Sequence, residues 1–463
     1  MSFDWVSPRV SAPFLPPFHR ISKPRSIRPN GRKAVGKFMK HLILCDFDGT
    51  ISIRDISYEL LSTFARGNWE EIDRQYREGE IGSREAYKRI AGICEATPEE
   101  MESFIMERSL IDPYFGRFHD YCLRKGIDLK IVSDGFDIYI SRLLEHHGLP
   151  SIPFFANRIS FKRGARIRFE HPYHNRHCGL CGTCKRTILL EERPSYDLIT
   201  YIGNGYSDRC AAQEADRVYA KEVLFEHCVR EEIDCTYYDH FGEVMDDLSK
   251  ETKGLIFDLD GTLIDSYEAI YIGLVEVFNH FSTPLFPFRQ LGKYLGGSLE
   301  EILKPFLTPP QIEEAKPIFR NKYRDIYLDK TSLLEGAKEV IEELFRRSIR
   351  LAVASNKSGK FCRKLLSQLG IDRFFTTIMG VGDGLRPKPF PDMVNAVVMD
   401  LGLHPNEVIM VGDTVEDIKA GKAAGVDVYA LGDGYHPLEI LIQERPRRIL
   451  RKLKDLSQAL HTS

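Results

Sequence analysis

The most constraining feature of this sequence is a strand-like stretch that ends in two aspartates and occurs twice. One copy runs from Gly254 to Asp265 as GLIFDLDGTLID, and the other begins at His41 as HLILCDFDGTI. The apolar run in each copy is typical of a strand buried on both faces. The Gly-Thr that follows ends the strand and leaves the aspartates at its carboxyl end, where open α/β sheets bind ligands. The sequence therefore predicts two copies of one kind of site.

The bulk properties favour two ordinary globular domains. The chain has 463 residues, 43% of them hydrophobic and 28% charged, with a net charge of -3. This length suits two domains better than one core, and in each half strand-like and helix-like pieces alternate, which predicts a mostly parallel α/β sheet. The small net charge gives no reason to expect nucleic acid or an anionic membrane as a partner. No apolar run approaches the roughly 20 residues of a membrane span.

The two ends of the chain differ in composition from the rest. Residues 1–40 are rich in Pro, Arg, Lys and Ser, with Asp4 as their single acid, which predicts a disordered arm. A transit peptide and a translation start at Met39 are the alternatives to a disordered arm. The segment 437–460 is predicted to form one or two basic amphipathic helices on a domain edge. The ten cysteines are too sparse for a secreted disulfide scaffold, so a reducing, cytoplasmic location is expected.

Four polar features follow strand ends in the same order in both halves. They are a pair of aspartates, a serine, a lysine and a second polar or acidic pair. In the first half these are Asp46 and Asp48, Ser133, Lys185, and Asn204 with Asp208. In the second half they are Asp258 and Asp260, Ser355, Lys388, and Asp413 with Asp417. A lone DxDGT can be a turn held by its own side-chain hydrogen bonds, but two ordered sets of four argue for function.

Both halves resemble the haloacid dehalogenase superfamily of phosphatases over nearly everything after the first 40 residues. The second half carries the strings DLDGTLIDS, ASNKS, RPKPFPD and GDTVEDIKAGKAAG and is most similar to the phosphoglycolate phosphatase and pyrophosphatase branch. The first half carries DFDGTI, IVSDG, CGTCK and GNGYSDRCAA. It resembles the phosphoserine phosphatase branch, and within it the 2-hydroxy-3-keto-5-methylthiopentenyl-1-phosphate phosphatases. The resemblance implies two Rossmann-like domains, at 41–250 and 251–463, with helical caps inserted at about 52–110 and about 266–330.

The resemblance also implies a role for each residue of the two sets. Asp46 and Asp258 would be nucleophiles that form an aspartyl-phosphate, and Asp48 and Asp260 would be the general acids and bases. The remaining residues would bind phosphate or one Mg²⁺ per domain. The implied phosphate ligands are Ser133, Lys185, Ser355, Asn356 and Lys388. The implied metal ligands are Asp46, Asp48, Asn204, Asp208, Asp258, Asp260, Asp413 and Asp417.

One departure from the family pattern leaves two functions open. Asn204 stands where the first half should have a metal-binding aspartate, which removes one negative charge from that site. The leading prediction is a tandem Mg²⁺-dependent phosphatase acting on small phosphorylated metabolites, with weaker Mg²⁺ binding in the first half. The alternative is one catalytic domain, the second, fused to a ligand-sensing or regulatory first domain. The sequence predicts neither substrate nor the oligomeric state.

A cysteine-rich segment precedes Lys185 in the first half. Cys178, Cys181 and Cys184 follow His177 with the spacing C-x₂-C-x₂-C. Thiolates and a histidine are the ligands of structural Zn²⁺, but the usual zinc pattern is two separated pairs. Zinc is therefore one alternative, and reduced thiols that shape the loop presenting Lys185 are the other.

Overall fold

The computed structural model describes residues 39–107, 110–161 and 167–460. The predicted N-terminal arm lies outside the described residues, apart from its last two. The described chain divides into two compact units. One extends to His227 and includes His240–Gly242, and the other comprises Cys228–Asp239 and the chain from Glu243 onward. In the described part of the chain, no helix is both long and apolar enough to cross a membrane.

The first half of the chain alternates strands with helices. Its elements are β1 (His41–Cys45), α1 (Ile56–Phe64), α2 (Trp69–Arg77), α3 (Ser83–Ile90), α4 (Pro98–Glu107), α5 (Phe115–Lys125), β2 (Asp128–Phe136), α6 (Asp137–His146), β3 (Phe154–Phe161), β4 (Ile167–Glu170), α7 (Lys185–Glu192), β5 (Leu198–Gly203), α8 (Arg209–Ala212), β6 (Arg217–Ala220), α9 (Glu222–Arg230), β7 (Thr236–Tyr237) and α10 (Phe241–Ser249). In the first unit the strands lie side by side in the order β4-β3-β2-β1-β5-β6. These pairs are parallel except β3 with β4. Helices α1–α4 fall between β1 and β2, as expected for an inserted cap.

The second half repeats this plan. Its elements are β8 (Gly254–Phe257), β9 (Ile264–Asp265), α11 (Tyr267–His280), α12 (Leu299–Leu303), α13 (Pro309–Ile326), β10 (Ser332–Leu333), α14 (Ala337–Arg346), β11 (Arg350–Ser358), α15 (Gly359–Gln368), β12 (Phe375–Val381), α16 (Asp392–Leu401), β13 (Val408–Gly412), α17 (Val415–Ala423), β14 (Asp427–Leu431), α18 (Leu438–Gln443), β15 (Arg448–Leu450) and α19 (Leu456–Ala459). The main sheet is parallel throughout, in the order β12-β11-β8-β13-β14-β15. The predicted α/β class with mostly parallel sheets is confirmed.

The first strand of each half lies in the centre of its sheet, which explains its apolar sequence. Leu255 and Phe257 belong to one buried core cluster, whereas Ile256 between them belongs to another on the opposite face. Both faces of β8 are therefore covered by helices, and alternation of polar and apolar residues would be unfavourable there. The equivalent β1 is buried in the same way, with Leu42, Ile43, Leu44 and Cys45 fully buried.

The register of the three central strands is the same in both sheets. Cys45 is aligned with Ile131 on one side and Ile202 on the other. Phe257 is aligned with Val353 and Val411 in the same manner. The residues just beyond these levels are the predicted site residues, so each sheet gathers them at one edge.

The prediction for the C-terminal segment is partly wrong. Helices α18 and α19 lie in this segment, but residues 448–450 between them form the edge strand β15, which was not predicted. Arg448 is 1% exposed, its guanidinium lies 3.4 Å from a carboxylate oxygen of Asp234, and it packs over the ring of Tyr429. The positive charge is buried because an acid distant in sequence neutralises it, which a local pattern does not show.

Candidate active sites

A buried lysine links two carboxylates at the edge of the first sheet. Lys185 lies at the start of α7, and its Nζ is 2.7 Å from Oδ1 of Asp46 and 2.6 Å from Oδ1 of Asp208. The phenol of Tyr201 also donates to Oδ1 of Asp208, at 2.5 Å. The strand ends and the helix start therefore hold the predicted nucleophile and its cation in contact.

The second sheet has the same arrangement. Nζ of Lys388 is 2.8 Å from Oδ1 of Asp258 and 2.5 Å from Oδ1 of Asp417, and the side chains of all three are less than 10% exposed. The same triad of a lysine and two aspartates therefore forms twice, once in each half of the chain. A buried ion pair requires such a close geometry, because desolvation of each charge is costly.

The last acid of each motif, Asp417 or Asp208, also accepts hydrogen bonds from the backbone of the loop that follows its strand. Oδ2 of Asp417 accepts hydrogen bonds from the backbone N–H groups of Asp413 and Thr414 and from the Thr414 hydroxyl. Thr414 is the N-cap of α17 and Asp417 is its N3 residue, which makes this stretch a capping box. In the first half, Oδ2 of Asp208 accepts from the backbone N–H groups of Asn204 and Gly205. Both oxygens of each acid are engaged, so these residues position the lysine and the loop.

Burial and neighbouring acids raise the pKa values of carboxylates in both sites. Burial raises the pKa of Asp258 to about 6, with Lys388 opposing and Asp417 adding to the shift. Burial also raises the pKa of Asp413 well above its ordinary value, and the neighbouring Asp258 and Asp417 raise it further. In the first half, burial and Asp208 raise the pKa of Asp46 to about 7 against the influence of Lys185. An additional positive charge would therefore stabilise the ionised carboxylates of each site.

The donor atoms of the second site suit Mg²⁺. Carboxylate oxygens of Asp258, Asp413 and Asp417 lie within 4.8 Å of one another, and all three residues are buried. Mg²⁺ prefers oxygen ligands and is commonly held by one or two carboxylates. The site is also closely fitted, since a Cβ atom on Gly261 would lie 2.3 Å from Oδ2 of Asp413. Among the described residues this is the one such group of three, and the first half lacks a counterpart because Asn204 replaces the third acid.

The two predicted serines lie in β2 and β11, the strands beside the central strand of each sheet. Ser133 and Ser355 are essentially fully buried, and the hydroxyl of each accepts a hydrogen bond from the backbone N–H two residues later. Asn356 uses its amide differently from the predicted phosphate contact. Its Nδ2 donates to the carbonyl oxygens of Gly296 and Lys388, and its Oδ1 accepts from the Lys388 N–H. This geometry favours positioning of Lys388 and of the cap loop, and phosphate binding by Asn356 stays a prediction.

The predicted acid–base aspartates have different partners in the two halves. In the second half Nζ of Lys357 lies 2.8 Å from Oδ1 of Asp260. In the first half Gly135 stands at the position of Lys357, and the phenol of Tyr139 donates to Oδ2 of Asp48. A Cβ atom on Gly135 would lie 1.7 Å from the Tyr139 hydroxyl, so the tyrosine occupies the space of the missing side chain. Sequence reasoning missed both partners, although aligning SDG with SNK exposes the difference.

The first site opens into a cavity under its cap. The cavity has a volume of about 250 Å³ and is lined by both predicted catalytic aspartates and Asn204. Its cap wall combines apolar and aromatic residues with the polar or charged Asp55, Ser57, Asp73, Arg77 and Ser83. The cap residues include Tyr58, Leu61, Trp69, Tyr76, Ala86, Tyr87 and Ile90.

The cysteine-rich segment forms a loop between the cap and Lys185. The backbone N–H of Arg84 donates to the carbonyl of Leu180, and the N–H of Gly182 donates to the Ser83 hydroxyl. All ten cysteines lie in described residues and none forms a disulfide. The thiol of Cys181 lies close enough to those of Cys178, Cys184 and Cys210 for their charges to interact, and burial, followed by the charge of Asp134, raises its pKa. Zinc binding and reduced thiols that shape the loop presenting Lys185 both stay predictions.

These two sites define a class of protein, α/β domains with an aspartate pair at the end of a central parallel strand. The family models for haloacid dehalogenase-like hydrolases match residues 43–213 and 255–431. The chain therefore belongs to the haloacid dehalogenase-like hydrolase family in both halves, and the predicted family and enzyme class are confirmed.

Named relatives match each half separately. The first half is 31% identical to a 2-hydroxy-3-keto-5-methylthiopentenyl-1-phosphate phosphatase of Brevibacillus brevis, over 40% of this chain and 84% of that protein. The second half is similar to a pyrophosphatase PpaX of Halalkalibacterium halodurans, with 30% identity over 44% of this chain and 95% of that protein. It also matches a phosphoglycolate phosphatase of Pectobacterium atrosepticum, with 28% identity over 44% of this chain and 90% of that protein.

Proposed function

We propose that the chain is a tandem Mg²⁺-dependent phosphatase in which each half hydrolyses a small phosphate monoester through its own aspartyl-phosphate. The observation that carries this proposal is the buried lysine that links two carboxylates at a strand end, present with the same contacts in both halves. The names of the relatives support phosphate esters as substrates. A purely regulatory first half would not require its nucleophile, lysine and acid to be kept in this geometry.

The first step transfers the phosphoryl group to the enzyme. A carboxylate oxygen of Asp46 or Asp258 attacks phosphorus, the P–O bond to the alcohol breaks, and Asp48 or Asp260 gives its proton to the departing oxygen. Lys185 or Lys388 holds the nucleophile in place and balances charge on the transferring group. Mg²⁺, when bound, would neutralise the phosphate charge that otherwise repels the attacking carboxylate.

The second step returns the enzyme to its starting state. The same Asp48 or Asp260, now ionised, takes a proton from water while the water oxygen attacks phosphorus. The bond between phosphorus and the aspartate oxygen then breaks, which releases inorganic phosphate. Residues proposed to hold Mg²⁺ are Asp258 and Asp413 in the second half and Asp46 with the Asn204 amide oxygen in the first.

The cap walls suggest small substrates. The aromatic and aliphatic residues of the first cavity would cover an apolar tail, while the phosphate lies at the aspartate end. A cavity of about 250 Å³ is of a size that suits a small metabolite.

Phosphate release from a panel of small phosphate esters tests the proposed function. The purified chain should release phosphate with Mg²⁺, lose this activity with EDTA, and regain it when Mg²⁺ is added in excess. The panel should include one ester with an apolar tail and phosphoglycolate, because these chemistries suit the two halves. Activity that persists undiminished in EDTA would argue against the metal, and no hydrolysis of any ester would argue against the function.

Tyr139→Phe should shift the pH dependence of the first half. Burial and the charge of Asp55 raise the pKa of Asp48 well above its ordinary value, and the hydrogen bond from Tyr139 opposes this. Removing the phenol takes away a bond worth about 1.5 to 3 kcal/mol to the ionised form. The pKa of Asp48 then rises further, because the ionised form loses this hydrogen bond. Because the first step needs protonated Asp48, the alkaline limb of kcat/KM moves to higher pH.

The second half provides the control for this variant, since the pH profile for its substrates should not change. An unshifted or acid-shifted alkaline limb for first-half substrates would show that Tyr139 does not stabilise the ionised Asp48.

A further inference from the structure

The hydrogen bonds around Asn204 differ from those around Asp413 in a complementary way. In the second half, Oδ1 of Asp413 accepts from the Thr262 hydroxyl at 2.8 Å, and Oδ2 accepts from the Tyr435 backbone N–H at 2.8 Å. A carboxylate thus has a donor on each side, as its two acceptor oxygens require.

In the first half the second partner is an acceptor instead. The Thr50 hydroxyl donates to Oδ1 of Asn204 at 3.1 Å, which preserves the first contact. Nδ2 of Asn204 donates to Oε2 of Glu222 at 3.0 Å. Asn204 thus replaces the carboxylate of Asp413 by an amide. Correspondingly, Glu222 provides an acceptor where the second half has a donor, the Tyr435 N–H.

The backbone holds Glu222 in this place. The N–H of Leu224 donates to the carbonyl oxygen of Asn204 at 2.9 Å, and the N–H of Lys221 donates to the carbonyl oxygen of Gly203 at 3.2 Å. Glu222 itself has a φ of +50°, a left-handed conformation that is uncommon for residues other than glycine. Such conformations persist where the surrounding structure fixes them, and they cluster at functional sites.

We propose that Glu222 is a positioning residue that fixes the Asn204 amide with its oxygen facing a divalent cation. An amide has one oxygen and one nitrogen, and only the oxygen can bind Mg²⁺. With Nδ2 committed to Glu222, Oδ1 is left on the side of Thr50. Asn204 lines the same cavity as Asp46 and Asp48. Asn204 is then a built-in ligand, and the first half binds its cation with one negative charge fewer in direct contact. This inference rests on the proposed function of the first half.

Binding of Mn²⁺, followed by the electron paramagnetic resonance of the free ion, tests this role without an activity assay. The full chain should carry Asp413→Ala throughout, so that binding in the second half is weakened. Removing Asp413 relieves crowding of buried like charges, so this background should fold. Into it we would introduce Glu222→Leu, Glu222→Gln, and the pair Glu222→Leu with Asn204→Asp.

Glu222→Leu removes the acceptor and should weaken Mn²⁺ binding in the first half by about tenfold, the lower range for a partner of a metal ligand. Glu222→Gln keeps an acceptor oxygen and should stay within about twofold of the parent. Adding Asn204→Asp to Glu222→Leu should restore binding, because a carboxylate presents an oxygen in either orientation. Loss of binding in Glu222→Leu with binding retained in Glu222→Gln is the result that identifies Glu222 as a hydrogen-bond acceptor for Asn204.

Three results would overturn the inference, and they differ in meaning. Unchanged binding in Glu222→Leu would show that Glu222 does not orient Asn204. Equal losses in Glu222→Leu and Glu222→Gln would show that only the charge of Glu222 matters. Failure of the parent itself to bind Mn²⁺ in its first half would overturn the proposed metal site as well as this inference.

Discussion

Asp258→Asn should lower kcat for the substrates of the second half by at least about a thousandfold, the scale of loss for removal of a nucleophile. The amide is neutral and nearly the same size, and Lys388 keeps its contact with Asp417 at 2.5 Å. The fold should therefore be retained while the attacking oxygen is lost. The measurement is phosphate release, combined with mass spectrometry of acid-quenched protein, in which the phosphorylated peptide containing Asp258 should disappear.

A matched control for this variant is Asp329→Asn, which makes the same chemical change at an exposed position of the second half. It should keep full activity and full labelling. Two results would show that the second half does not use this aspartate as a nucleophile. One is the absence of phosphorylated Asp258 in wild type, and the other is activity of Asp258→Asn within tenfold of wild type.

Lys388→Met should lower the free energy of unfolding by about 3 to 5 kcal/mol, the cost of leaving a buried charge without its partner. Asp417 is 0% exposed and Asp258 is 6% exposed, so neither carboxylate can recover its hydration in the folded state. Burial disfavours the charged lysine, yet Asp258 and Asp417 outweigh it and raise the pKa of Lys388 above its ordinary value. The lysine is therefore charged, and its removal leaves uncompensated acids. Urea denaturation of the full chain measures the loss.

Lys360→Met, on the exposed side of α15, is the control for this substitution. It should change the free energy of unfolding by no more than about 0.5 kcal/mol. A Lys388→Met protein as stable as this control would show that the buried triad contributes nothing to stability.

The sequence was sufficient to predict the central strands of both sheets and the polar residues that follow them. The apolar runs before Asp46 and Asp258 have one good explanation, a central parallel strand covered on both faces. Once that strand is central, the residues after the neighbouring strands must lie beside it, and the register confirms this for Ser355 and Asp413. The motif that ends in Asp417 is predictable for a local reason, since Thr414 and Asp417 form a capping box.

The contacts that distinguish the two halves could not be predicted in this way. Tyr139 replaces Lys357 because it fills the space above a glycine, and the sequence does not show that space. Glu222 contacts Asn204 from the start of α9. The sequence does not show how the Asn204 amide is oriented, so it does not show that Glu222 is its acceptor. Arg448 belongs to a charge run that looks like a surface helix until its distant partner Asp234 is placed beside it.

The central claim is that both halves are phosphatases, and Asp46→Asn beside Asp258→Asn tests it most directly. Wild type and the two variants should be assayed for phosphate release over the same panel of small esters with Mg²⁺. The account predicts that each variant loses a different subset of substrates and retains the other. If Asp46→Asn hydrolyses every ester as well as wild type does, the first half is not a phosphatase for this panel, and the tandem account is contradicted.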